Sequence, residues 1–173
     1  MFDKEYAFKG KHSQMVQDLT KKFDVKNNQL FKRNFDVYLL APIIGFLYQR
    51  KADVDTTSDI NPTKIFGDIL INNTDDLMFN YRLIMLLDKN NEPSSEKRIE
   101  KAFRGNKDES DEALYESYVR GGVEVLYEKL MYGVNSPDDY VNRLYDFLEE
   151  FDERYNQNID MDQTLEFCRK IKI

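Results

Sequence analysis

The stretch that decides the fold is Arg33–Arg50, RNFDVYLLAPIIGFLYQR. From Val37 to Tyr48, twelve successive residues carry no charge, in a chain that is 33% charged. Such a run is a membrane span, a strand or a buried helix. As a helix rising 1.5 Å per residue it measures about 18 Å. A bilayer core is about 30 Å thick, and Asp36 and Arg50 close the run too early. It does not span. A strand is poor as well, because Pro42 removes a ladder donor from the middle. Helical spacing fits. Phe35, Tyr38, Leu39, Pro42, Ile43, Phe46 and Leu47 share one face, and Val37, Leu40, Ile44 and Tyr48 form a second ridge. A helix apolar on most sides is expected to be buried on most sides. Pro42 costs it roughly 3 kcal/mol and leaves the Tyr38 carbonyl without its usual donor. A kink or break near Ala41 and Pro42 is therefore expected, with Gly45 admitting a close neighbour.

Working outward, TDDLMFNYRLIMLLDK (Thr74–Lys89) repeats the theme, with Thr74 as N-cap and Asp75 and Asp76 in the first turn. These two apolar runs are read as a central pair that needs a sheath. KHSQMVQDLTKKF offers Met15, Val16, Leu19 and Phe23 on one stripe. NPTKIFGDILINN reads as a helix starting at Pro62, with Ile65, Phe66, Ile69 and Leu70 inward. SSEKRIEKAF is a short helix burying Ile99, Ala102 and Phe103. DEALYESYVRGGVEVLYEKLMYG carries Leu114, Tyr118, Gly122, Val125 and Leu126 at helical spacing. Its Gly121-Gly122 pair either breaks the helix or lets another pack tightly. SPDDYVNRLYDFLEEFDERY opens with Ser136 as N-cap and Pro137 at the first position, and presents Tyr140, Leu144, Phe147, Leu148, Phe151 and Tyr155 to the core. DMDQTLEFCRKIKI reads as a last, shorter helix. The expectation is one all-α domain over 1–173, of about six to eight helices. It comprises an N-terminal bundle (about 1–88), a polar loop region (about 89–109) and a C-terminal helical hairpin (about 110–173).

Composition supports a folded, soluble protein: 41% hydrophobic residues, few Gly and Pro, and 173 residues, enough for one core. The single cysteine, Cys168, excludes an internal disulfide and multi-cysteine metal sites. With no signal-like start and no spanning run, a cytoplasmic location away from membranes is expected. The net charge of −7 is uneven. Residues 1–90 hold 13 Lys and Arg against 12 Asp and Glu, and residues 91–173 hold 12 against 20. The halves thus carry +1 and −8, which points to different partners for the two ends.

The chemical motifs are thin. DVDTT (Asp53–Thr57) has the D-x-D-x-T spacing of phosphotransfer aspartates, but no buried strand precedes it, so it reads as a solvated loop. As a calcium loop it fails, with Ser58 and Lys64 where Gly and Glu are needed. GKHS (Gly10–Ser13) lacks most of a phosphate loop. His12 is the only histidine, which removes paired-histidine and zinc sites, and it is expected on the surface at a helix start. No Glu-x-Lys occurs. Asp75-Asp76 and Asp138-Asp139 suit helix N-termini, and Glu149, Glu150, Asp152 and Glu153 a solvated face. No cofactor or metal signature and no catalytic constellation emerges.

Two features remain for function. Lys9, Lys11, Lys21, Lys22, Lys26, Lys32 and Arg33, interleaved with Phe8, Phe23 and Phe31, form a candidate nucleic-acid contact. The kink at Pro42, with Tyr38, Tyr48, Arg50 and Arg82 as polar groups, is a candidate pocket. The leading expectation is a non-catalytic interaction or regulatory protein acting with a larger macromolecular partner, most simply a protein. The run RNFDVYLLAPIIGFLYQRKADVD (Arg33–Asp55) resembles short helical accessory proteins encoded beside bacterial DNA-modification or anti-phage genes. That resemblance implies the first alternative: an accessory protein contacting nucleic acid or mimicking its charge. A ligand-binding or enzymatic domain around Pro42 is the second.

Overall fold

In a computed structural model, which describes residues 2–103 and 109–155, the opening stretch forms helix α2 (Asn34–Leu47). The chain stays helical through Pro42 rather than breaking there. Phe35, Val37, Tyr38, Ala41, Pro42, Ile44 and Gly45 are buried while Leu40 is exposed, and this burial stabilises a helix that proline alone would weaken. Asn80, a polar interruption in an otherwise apolar run, is buried too and donates from Nδ2 to the Leu39 carbonyl at 2.8 Å. A buried polar group has found a backbone acceptor one turn before the proline.

The partner of α2 is α6 (Glu109–Met131), and the two make the most extensive helix pair among the described residues. Their backbones touch. A Cβ on Gly122 would collide with the Ala41 carbonyl, one on Gly45 with the Tyr118 carbonyl, and one on Gly121 with the Arg50 carbonyl. The glycine pair therefore serves tight packing and does not break the helix. Tyr115, Tyr118, Val119, Val123 and Leu126 of α6 are fully buried, so the central pair is α2 and α6. The expectation that Thr74–Lys89 supplies the second central helix is corrected. Helix α4 (Thr74–Leu87) buries one face, Leu77, Asn80, Ile84 and Met85, and leaves Phe79 and Leu87 exposed.

Around this pair lie α1 (Gly10–Thr20), α3 (Gly67–Asn72), α5 (Ser95–Phe103) and α7 (Pro137–Tyr155), giving seven helices among the described residues. Two short strands, β1 (Tyr6–Phe8) and β2 (Thr63–Ile65), pair antiparallel with Tyr6 opposite Ile65. The helix expected from Pro62 is thus corrected. Thr63 and Ile65 point inward and Lys64 outward, β1 captures the segment, and helix begins only at Gly67. In α5 the buried residues are Arg98 and Ala102, whereas Ile99 and Phe103, expected inside, are exposed. Arg98 is satisfied by backbone: it donates to the carbonyls of Leu86, Glu92 and Pro93 and so clamps the α4–α5 turn.

Helix α7 opens with Asp139 Oδ2 accepting from the backbone N–H groups of Asn135 and Ser136. Tyr140 and Phe147 are buried and Phe151 packs on the core, but Leu144 and Leu148 are exposed, contrary to expectation. Glu150 anchors α7 by accepting from the Tyr48 hydroxyl at 3.2 Å and pairing with Lys129 of α6. The shorter helix expected in DMDQTLEFCRKIKI, together with Cys168, lies outside the described residues.

Candidate functional site

A polar cluster sits where the start of α1, the segment 50–58 and the middle of α6 meet. Gly10 adopts φ +53, a left-handed conformation that glycine tolerates without a Cβ clash. Its bare Cα also makes room for Asp55, whose carboxylate occupies the place a Cβ would take. Asp55 then accepts from the Lys11 backbone N–H at 2.8 Å and caps α1 from 44 positions along the chain. Hydrogen bonds from the Ser58 hydroxyl, the Lys11 and Thr57 backbone and the Thr57 hydroxyl hold its carboxyl well below the usual range.

This placement carries His12 inward. At 1% exposure it is buried, which corrects the expectation of a surface histidine. Its Nε2 lies 3.1 Å from Glu124 Oε1. The same oxygen receives Lys11 Nζ at 2.7 Å, while Arg50 stands 3.6 Å from Oε2 and 3.1 Å from Glu128. Burial lowers the His12 ring below its ordinary value and outweighs the bond to Glu124. Burial alone would raise Glu124, but the bonds and charges of Lys11 and His12 hold it below the ordinary value. A neutral imidazole therefore donates Nε2–H to an ionised carboxylate. Beyond the loop, Tyr118 donates to buried Asp88 at 2.7 Å, and Lys51 lies 4.8 Å above the Tyr118 ring.

A second feature is apolar. Phe79 of α4, 65% exposed, separates two clefts. One, of about 430 Å3, is lined by Asp75, Phe79, Arg82, Leu83, Leu86 and Phe103; the other, of about 440 Å3, by Asp36, Leu39, Leu40, Ile43, Asp76, Phe79 and Asn80. Phe103 is 60% exposed, with the Arg82 guanidinium 5.9 Å from its ring centre. Together Leu40, Phe79 and Phe103 mark an apolar strip across α2, α4 and α5, bordered by the carboxylates Asp75 and Asp76.

The residues singled out in the sequence are dispersed. Tyr38 packs in the core against Tyr6, with ring centres 4.5 Å apart, and Pro42 is buried with it. Tyr48 and Arg50 lie past the end of α2, committed to Glu150 and to Glu124 and Glu128. Arg82 lines the α4–α5 cleft, which none of those four borders. Of the basic set, Lys11 pairs with Glu124, Lys21 with Asp18 at 3.4 Å and Arg33 with Asp36 at 2.7 Å. Lys22, Lys26 and Lys32 are exposed on the loop after α1, and Lys9 stands at the α1 N-terminus. Periodicity could not reveal the His12–Glu124 pair, separated by 112 positions. Phe79 and Leu87 of α4 are legible in the sequence as apolar, not as exposed.

The sequence model of one protein family, described as DNA sulphur modification system-associated protein 4, matches residues 9–166. The chain belongs to this family. The matched span contains His12, Glu124, the whole Phe79 strip and all seven described helices, and only β1 precedes it. Membership places the chain among proteins associated with DNA sulphur modification. No curated protein and no solved structure matches it. Among the described residues no group of three or more His, Cys, Asp or Glu is placed to hold a metal ion, and no helix is long and apolar enough to cross a membrane.

Proposed function

We propose that the protein is a non-catalytic accessory component of a bacterial DNA sulphur modification system, and that it works by docking against another protein of that system. The family supports the setting. The observation that carries the mode of action is the apolar strip Leu40–Phe79–Phe103, exposed across three neighbouring helices. Aromatic side chains standing between two clefts are the anchors expected at the centre of a protein interface. Asp75 and Asp76 on the rim specify the occupant: a segment whose apolar anchors enter the clefts while its Lys or Arg side chains meet these carboxylates. Burying Phe79 and Phe103 against such a partner gains roughly 25 cal/mol for each Å2 of apolar surface removed from water.

The test is reconstitution. The protein is co-expressed with each component of a DNA sulphur modification system and complexes are isolated by size exclusion. The expected result is one stoichiometric complex, lost in a Phe79→Asp, Phe103→Asp variant that unfolds at the same denaturant concentration as the parent. A variant that still forms the complex removes the strip from the interface. Elution alone with every component removes the accessory reading.

A further inference from the structure

Helix α7 carries two apolar faces. Tyr140 and Phe147 are buried, and Phe151 packs beside them on the core. Val141, Leu144, Tyr145 and Leu148 stand at i, i+3, i+4 and i+7, about a quarter-turn further round the helix. These four are between 38% and 64% exposed. Neighbouring apolar side chains on one helical stripe mark a surface that another element covers. The charges beside it are one-sided. Pro137–Tyr155 holds seven Asp and Glu against two Arg. Helical spacing puts Asp138, Asp146 and Glu149, all exposed, on the solvent flank of the stripe, and Arg143 and Arg154 beyond the buried face. A second copy of this chain would bring the same stripe and the same acids, so the charge favours a basic apolar occupant.

Such a segment follows α7 in the sequence. Eighteen residues come after Tyr155, and the family match runs on through residue 166, so it takes in the first part of them. In MDQTLEFCRKIKI (Met161–Ile173), Met161, Leu165, Cys168 and Ile171 recur at helical spacing, and Arg169, Lys170 and Lys172 follow the last acid, Glu166. Length fits as well. Residues 156–160 supply a connection within the range of roughly two to eight residues usual between paired helices. A helix over Met161–Ile173 runs back about 18 Å at 1.5 Å per residue, which carries it past Leu148 and Tyr145 to Leu144. That antiparallel return brings Arg169 and Lys170 level with Asp146 and Glu149. We infer that Met161–Ile173 folds back as an amphipathic helix on the Val141–Leu148 stripe, with Met161, Leu165, Cys168 and Ile171 against it and the bases beside the acids of α7. Docked there, the segment withdraws this face of α7 from other proteins. The inference does not depend on the docking strip Leu40–Phe79–Phe103, which lies on other elements.

Cys168 is the only cysteine, so its alkylation by uncharged iodoacetamide reads this contact in the intact chain. The expected result is slow alkylation that rises about tenfold or more in a Leu144→Asp, Leu148→Asp variant, because each leucine no longer buried shifts the docking equilibrium by at least about that factor. An Asp146→Lys, Glu149→Lys variant keeps the stripe, reverses the charge beside it and should also speed the reaction. Phe79→Asp should leave the rate unchanged, which separates this contact from the docking strip. All four α7 positions are exposed, and a cooperative urea transition shows that each variant is folded when its rate is taken. Alkylation of the parent as fast as that of the Leu144→Asp, Leu148→Asp variant overturns the inference. A rate unmoved by the charge reversal does the same. Protection that disappears on dilution assigns the stripe to a second copy and overturns it as well.

Discussion

Gly122→Ala tests the central contact of the fold. In an exposed helix this change stabilises by about 1 kcal/mol, because glycine is the poorer helix former. Here the added methyl meets the Ala41 carbonyl and lies 2.9 Å from the Gly45 nitrogen. Both are backbone atoms of a buried helix that cannot rotate away. Overpacking of this kind costs roughly 1–3 kcal/mol and occasionally more, and rigid neighbours place the site at the upper end. The net expectation is a loss of about 2 kcal/mol after the propensity gain is subtracted. With a urea dependence of roughly 1–3 kcal/mol per molar, the unfolding midpoint falls by about 1 M at unchanged slope. Gly67→Ala is the control, since its added Cβ comes no closer than 3.5 Å to any neighbour. It should leave the midpoint in place or raise it. Gly45→Ala, blocked by the Tyr118 carbonyl from the other side, should resemble Gly122→Ala. The double variant should cost less than the sum, because one separation of the helices relieves both clashes. If urea unfolding followed by circular dichroism gives Gly122→Ala the same behaviour as Gly67→Ala, the backbone contact between α2 and α6 is wrong.

Tyr118→Phe removes the donor to Asp88 Oδ2 and leaves a buried carboxylate oxygen short of a partner, at a cost of about 1–3 kcal/mol in the same assay; an unchanged midpoint contradicts this pairing. The His12 ring, lowered from 6.5 by burial, binds fewer protons folded than unfolded, so its contribution to stability is complete above that value and is lost as pH falls below it. Proton NMR of this one histidine should titrate below 6.5, and a midpoint at or above 6.5 refutes the buried pair. Glu124, held below 4.5, acts in a separate window, its contribution present above that value and lost under more acidic conditions. If the exposed loop cations Lys22, Lys26 and Lys32 touch DNA phosphates, changing Lys22 and Lys26 to Glu should flatten the log–log salt dependence of binding by about 0.9 for each phosphate no longer neutralised; an unchanged slope excludes this loop.

The parts of the fold legible in the sequence are those where one helix determines its own surroundings. Arg33–Arg50 is apolar on nearly every side, so most of it is buried although Leu40 stays exposed, and Gly45, Gly121 and Gly122 announce close contact through what they lack. Thr74–Leu87 shows the limit of the same argument. Its apolar residues also encircle the helix, yet α5, α2 and α6 together leave part of its surface open, and Phe79 and Leu87 stay outside. Composition measures what a helix can bury, whereas exposure depends on which neighbours arrive. Strand β2 was hidden for a related reason: three residues carry almost no periodicity, and only the edge of β1 selects an extended conformation for them.

The polar junction was illegible because each of its bonds is long-range. Asp55 belongs to a loop that reads as solvated, yet its function is to cap a helix through a residue 44 positions earlier, and only the left-handed Gly10 leaves it space to do so. Seating that cap turns the first helical turn so that Lys11 faces the junction and His12 goes under it, against a glutamate on α6. The order of causes matters for function. A histidine at a surface helix start titrates freely in the ordinary range and binds nothing in particular. The same residue, rotated inward by a glycine and a remote aspartate, has one nitrogen tied to Glu124 and the other buried without a hydrogen-bond partner. The single histidine of this chain therefore owes its chemistry to Gly10 and Asp55. Replacing either should raise its titration midpoint towards 6.5 even though neither touches the ring.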